Sequence, residues 1–125
     1  SAGRLQIILF LLQRYYCDFH CERLISDPCY ACVGPVFDDV DVLYPDRNAI
    51  VKSESFAKEK QPPRKYQSKI KMFLSIFFQN NGDKSEFRLI QDIQKDAAFR
   101  KARENKKDNE IYYKYFYEEL QPYDD

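Results

Sequence analysis

Between Cys17 and Cys32 the chain holds all four of its cysteines and its one histidine, His20. The spacing is C-x3-C, seven residues, then C-x2-C, formed by Cys17, Cys21, Cys29 and Cys32. Thiolates and imidazole are the ligands of structural zinc, and C-x2-C is a good half-site for a tetrahedral ion. On that reading the four cysteines, with His20 able to replace one of them, hold one structural zinc. The same thiols also suit two disulfides. On a helix Cys17 and Cys21 share a face at i, i+4, and Cys29 and Cys32 share one at i, i+3. An antiparallel hairpin would then pair Cys17 with Cys32 and Cys21 with Cys29, although sequence does not choose the connectivity. The third reading is four reduced thiols acting as small apolar side chains, and the clustering of all four runs against it.

The twin pairs resemble the helical hairpins with paired cysteines found in small mitochondrial intermembrane-space proteins. The gap of seven residues and the unequal x3 and x2 spacings depart from that pattern. The resemblance covers this stretch only and implies an oxidising compartment and a mitochondrial location.

A catalytic Cys–His pair is not expected. His20 is three residues from Cys17 and adjacent to Cys21, and no third group is marked to orient it. G-x-S-x-G, P-loop, G-x-G-x-x-G and H-E-x-x-H motifs are all absent. Three glycines leave little material for phosphate-cradling loops. Neither enzymatic activity nor a small-molecule substrate is expected.

Twenty basic and twenty acidic residues cancel, which lowers the expectation of general nucleic-acid binding. The charges are blocked locally, however. "KEKQPPRKYQSKIK" sets Lys58, Lys60, Arg64, Lys65, Lys69 and Lys71 against Glu59, and "RKARENKK" follows from Arg100. Arg64, Lys65, Lys69, Lys71, Arg100 and Arg103 are candidate contacts to phosphates of RNA or lipid headgroups, the plainer reading being a solvated face. Asp38, Asp39 and Asp41 supply the opposite sign, as do Glu118, Glu119, Asp124 and Asp125. Aromatic residues make up 16% of the chain, a high share that serves a core or an interface, and "IYYKYFY" runs from Ile111 to Tyr117. Tyr112, Tyr113, Tyr115, Phe116 and Tyr117 form either an interface or an internally packed element.

The elements that must position these groups are mainly α. Residues 4–24 read as a helix, with Leu5, Leu9, Leu12, Tyr16 and Phe19 at helical spacing. The run Ile7–Leu12 is far shorter than the roughly 20 residues of a bilayer span, so a buried helix is favoured over a membrane contact. "SAGRL" without an initiator Met reads as a processed or trimmed start, and no cleavage site for a retained signal peptide is evident. Asp27 and Pro28 suit the start of a one-turn helix that Gly34-Pro35 ends.

Residues 36–61 read as irregular and wrapping, closed by Pro62-Pro63. Residues 64–80 form the clearest amphipathic helix, on Tyr66, Ile70, Phe73, Leu74 and Phe77. Met72, Ile76 and Phe78 widen its apolar arc enough to pack on two sides, and Asn81-Gly82 stops it. Asp83 and Glu86 resemble a capping box for a further helix buried through Phe87, Ile90, Ile93 and Ala97. The expected architecture is one small helical domain: residues 1–35 with a Cys-stapled hairpin or zinc turn, a wrapping segment at 36–63, and a helical region at 64–125 ending in an extended aromatic arm.

These features together suggest a non-catalytic accessory subunit of a larger assembly, stabilising neighbouring subunits, with a mitochondrial inner-membrane complex of respiratory-chain type as its setting and a membrane surface as a further contact. The alternative is a zinc-stabilised RNA- or protein-binding module such as a ribosomal accessory protein. A thiol redox protein built on Cys29 and Cys32 lacks the strand–turn–helix context that motif needs.

Overall fold

The first helix, α1 (Ala2–His20), is the axis about which the rest of the chain is arranged. Ser1 caps it by accepting from Arg4 N–H at 3.2 Å. Cys21 ends it in the left-handed conformation, φ 51°, with its N–H returned to the Cys17 carbonyl. A computed structural model describes residues 1–52, 64–105 and 107–118. Beyond α1 lie β1 (Cys29–Ala31), β2 (Pro35–Phe37), α2 (Asp38–Leu43), α3 (Arg64–Asn81), α4 (Glu86–Ile93), α5 (Ala97–Glu104) and α6 (Tyr113–Glu118). The mainly helical class expected from the sequence is correct.

β1 and β2 form an antiparallel hairpin in the register Cys29↔Phe37, Tyr30↔Val36 and Ala31↔Pro35. The outer edge of β1 is covered by residues 109–111. Ala31 N–H donates to the Asn109 carbonyl at 2.8 Å, and Ile111 N–H donates to the Cys29 carbonyl at 2.7 Å. This pairing removes an exposed strand edge.

Ile7, Phe10 and Cys17 of α1 meet Phe37, Leu89, Ile93, Phe99 and Phe116 in one core. Phe10 lies edge-on to Phe99 at 6.1 Å and tilted against Phe116 at 5.9 Å. Burying a side chain of this size contributes about 1.5–3 kcal/mol. Arg14 ties the core rim together by donating to both carboxylate oxygens of Asp96 at 2.7 Å and stacking over Phe116.

Two buried amides on α1 serve as backbone partners. Gln6 Oε1 accepts from Phe37 N–H at 2.8 Å while its Nε2 faces the Phe37 carbonyl at 3.4 Å. Gln13 Oε1 accepts from the N–H groups of Leu24 and Ile25 at 3.1 and 2.8 Å. Leu12 and Tyr16 of the stripe that hydrophobicity suggests are buried, Leu5 and Leu9 are partly buried, and the buried face widens to take in Gln6, Phe10, Gln13 and Cys17. Phe19, at the end of the expected stripe, is exposed.

Several other expectations are corrected. The Cys-stapled hairpin or zinc turn is not supported, because Cys29–Ala31 is a strand and all four cysteines are thiols. Alternating burial in both strands, with aromatic and β-branched residues flanking the turn, outweighs the Asp27-Pro28 start signal. Asp27 instead accepts from Asp39 N–H at the start of α2. The first part of the wrapping segment is ordered as β2 and α2, while residues 53–63 lie outside the described residues.

Ser85, rather than Asp83, caps α4 by accepting from Arg88 N–H. Asp96 starts a separate helix, α5, which buries Ala98, Phe99 and Ala102. Phe87 and Ala97 are exposed, and Leu89 and Ala98 take the buried positions instead. The aromatic stretch is not an extended arm as far as Glu118. It folds as α6 and packs on α1 and α5; residues 119–125 lie outside the described residues.

Candidate functional site

The cysteines divide between the core and the surface. Cys17 on α1 and Cys29 on β1 are buried, whereas Cys21 at the helix end and Cys32 in the hairpin turn are exposed. Burial pushes the Cys29 thiol far up from its ordinary value, so it stays protonated at neutral pH. Asn109 Nδ2 donates to the Cys32 sulfur at 3.5 Å. Among the described residues no group of three or more His, Cys, Asp or Glu side chains is placed to hold a metal ion. His20 lies against Tyr16 at 4.8 Å and Tyr15 at 5.7 Å. Its Nε2 and the Tyr16 hydroxyl are buried without a hydrogen-bond partner among the described residues.

The aromatic candidates are largely absorbed by the fold. Tyr115 and Phe116 are core residues, and Tyr112, Tyr113 and Tyr117 pack against them. The Tyr117 hydroxyl donates to the Cys21 carbonyl and contacts the Tyr113 hydroxyl. Burial and then the Tyr117 hydroxyl raise the Tyr113 pKa. A hydrogen bond to Asp108, at 2.8 Å, is the main cause that pushes Tyr112 up to about 12. Both hydroxyls are therefore neutral, hydrogen-bonding groups at physiological pH.

The basic candidates sit on two helices. Arg64, Lys65, Lys69 and Lys71 are exposed on α3, and Arg100 and Arg103 are exposed on α5. The structure gives α5 its closest neighbours in β1 and α6, and gives α3 its closest neighbour in α1, so the two basic groups belong to different packing units.

The surface of interest is built on α3. Tyr66 near its start meets Tyr16 near the end of α1, at 5.7 Å. Arg4 at the other end of α1 donates to the Asn81 and Gly82 carbonyls, so the two helices run antiparallel. Gly82 closes α3 where a Cβ would fall 2.5 Å from the Phe78 carbonyl. Phe77 is the one buried residue of α3. Met72, Ile76 and Phe78 are left 48–60% exposed, and Phe19 on α1 is 71% exposed.

An open groove of about 490 Å³ runs between α1 and α3, walled by Leu11, Tyr15, Phe19, Phe73, Ile76 and Phe77. Four rings line it in an unbroken row across both helices: Phe19 to Tyr15 at 5.0 Å, Tyr15 to Phe73 at 5.3 Å, and Phe73 to Phe77 at 6.0 Å. The polar side chains at the α1 rim are occupied by each other. Asp18 pairs with Arg14 at 3.5 Å, and Glu22 accepts from the Tyr66 hydroxyl at 3.2 Å.

Sequence reasoning named none of the groove residues as a site. The signal was present in the widened apolar arc of Met72, Ile76 and Phe78, which one buried face cannot cover. Phe19 was masked by its fit to the α1 stripe. No helix among the described residues is long and apolar enough to cross a membrane. In comparisons with known proteins, no family model, no curated protein and no solved structure matches the chain.

Proposed function

We propose that the chain is a non-catalytic accessory subunit of a multiprotein assembly and that it docks on a neighbouring subunit through the α1–α3 groove. One observation carries this reading. Phe19 on α1 and Met72 and Ile76 on α3 stay about half or more exposed beside a continuous row of rings, and α3 buries one residue of its own. An exposed apolar cluster of that kind favours association.

The mitochondrial inner-membrane setting leaned on a cysteine staple that the structure does not support. Docking does not depend on that setting, which fractionation of cells carrying a tagged chain would decide. Site-specific photo-crosslinkers at Phe19 and Ile76, with Arg103 as the control position, test the docking function in cells. The same partner should be captured from both groove positions and not from Arg103. A chain that migrates alone, with no crosslink from either groove position, would refute the proposal.

The zinc-stabilised RNA-binding reading keeps one favourable observation, the four exposed cations of α3. Its zinc half requires the cysteines to be brought together, since among the described residues no three potential ligands are placed to hold a metal ion. Salt-dependent RNA binding that Lys69→Glu weakens, together with one bound zinc in the native mass, would bring it forward.

A further inference from the structure

Given the docking reading, which this step rests on, the geometry points to an acidic amphipathic helix of a partner protein as the occupant of the α1–α3 groove. Three observations lead there. The first is charge. α3 carries Arg64, Lys65, Lys69 and Lys71 and has no acidic residue along its length, in a chain whose net charge is zero. Lys65, Lys69, Met72 and Ile76 follow one another at i, i+4, i+7 and i+11 and so share one face. The apolar wall of the groove therefore continues directly into two cations. Asp18 pairs with Arg14, and Glu22 accepts from Tyr66; an acidic occupant complements the cations that continue the wall.

The second observation concerns backbone. Both walls are helices, whose N–H and C=O groups are bonded within their own turns. They offer no strand edge to an extended peptide, so recognition is by side chains alone. An occupant that satisfies its own backbone, with apolar anchors at i, i+3, i+4 and i+7, meets that condition.

The third is shape. The outermost ridge of α3 is largely polar, with exposed Ser68, Ser75 and Gln79 around Met72. The rings lie on the flank toward α1, which a slender rod reaches more fully than a flat lipid surface. The aliphatic wall of Leu11 and Ile76 gives RNA bases nothing to pair with, although they could stack on the rings.

The test is selection of a displayed library of helical peptides on the intact chain, with anionic phosphatidylserine vesicles and a single-stranded RNA as parallel probes. Selected peptides should carry apolar anchors at helical spacing flanked by Glu or Asp. Their binding should weaken about tenfold, near 1.4 kcal/mol, in Lys65→Glu/Lys69→Glu and vanish in Ile76→Lys. All three positions are exposed, so the fold tolerates these changes, and unchanged circular dichroism would verify it. Peptides with neutral or basic flanks, binding that survives Ile76→Lys, or capture of vesicles or RNA in place of any peptide would each overturn the inference. A partner crosslinked at Phe19 and Ile76 that lacks an acidic helix would overturn this inference alone, whereas no crosslink at all removes the docking reading beneath it.

Discussion

Replacing Gln6 by Leu should destabilise the chain far more than an exchange of similar volume would suggest. Gln6 is 4% exposed and sits where a hydrophobic residue would satisfy the pattern of α1. Its amide instead completes Phe37, a strand-end residue of β2, from the side: Oε1 accepts the Phe37 N–H at 2.8 Å and Nε2 reaches the carbonyl at 3.4 Å. Leu leaves the first group, and weakly the second, buried and unpaired. An orphaned buried donor costs about 1–3 kcal/mol, and the marginal second bond adds little. Added apolar burial returns part of this, so the net loss should be about 2 kcal/mol. Urea denaturation reads it as a lowered midpoint at unchanged slope.

Gln6→Glu adds a signature that simple repacking would not give. The glutamate can accept from Phe37 N–H when ionised, but it must be protonated to donate to the carbonyl, and burial also opposes its charge. Its folded-state pKa should therefore lie above the unfolded value near 4.3. The folded form binds the proton more tightly, so the variant is most stable at low pH and loses stability as pH rises through the folded-state pKa. The wild-type chain has no such term from residue 6. A Leu variant within about 0.5 kcal/mol of wild type, or a Glu variant that tracks wild type across pH, would refute the role assigned to this amide.

Asp96 joins two functions, pairing with Arg14 and capping α5 through Phe99 N–H at 3.1 Å. Asp96→Ala should cost about 3–4 kcal/mol and Asp96→Asn about 1–2, since Asn keeps the cap; equal losses in thermal melts would contradict this. Brief alkylation followed by mass spectrometry should label Cys21 and Cys32 in the native chain and Cys17 and Cys29 only after denaturation. If all four resist until reductant is added, disulfides are present and the thiol arrangement described above is wrong. Burial, partly offset by the Asp39 N–H bond, raises the Asp27 pKa, with Asp39 and Asp38 adding to the rise. A raised carboxyl favours the folded state at low pH and disfavours it as pH climbs past the folded-state value. Asp27→Asn should thus be the more stable protein at neutral pH, with the advantage gone near pH 3 where wild type is itself protonated; an advantage that persists there would point to some other cause.

The helical class, α1, α3 and the stop at Asn81-Gly82 were legible because each rests on a local signal: an apolar run, a 3.6-residue period, a turn glycine. What was not legible depends on groups far apart in the chain. Gln6 and Gln13 read as polar and hence outward, but their partners, Phe37 and Leu24 with Ile25, are fixed by tertiary structure. The hairpin at Cys29–Phe37 was hidden by a valid helix-start signal whose capping carboxylate is used one element later, at Asp39. Ala98 and Ala102 are small enough for α5 to approach its neighbours closely, and small residues give little amplitude to a hydrophobic period. The groove was half legible. The surplus apolar arc of α3 could be read, but its opposite wall, with Phe19 turned outward, needed the true extent of the buried face of α1.

The clasp between the first helix and the end of the chain has a consequence for biosynthesis. Arg14 finds Asp96 82 residues later, Arg4 finds Lys84 80 residues later, and the sheet edge at Ala31 is closed by Asn109. A ribosome adding about 5–20 residues per second leaves Ile7–Leu12 without its partners on α4 and α5 for roughly 4–16 seconds. During that interval the nascent chain presents the kind of apolar stretch that holding chaperones bind, and the later elements complete its cover.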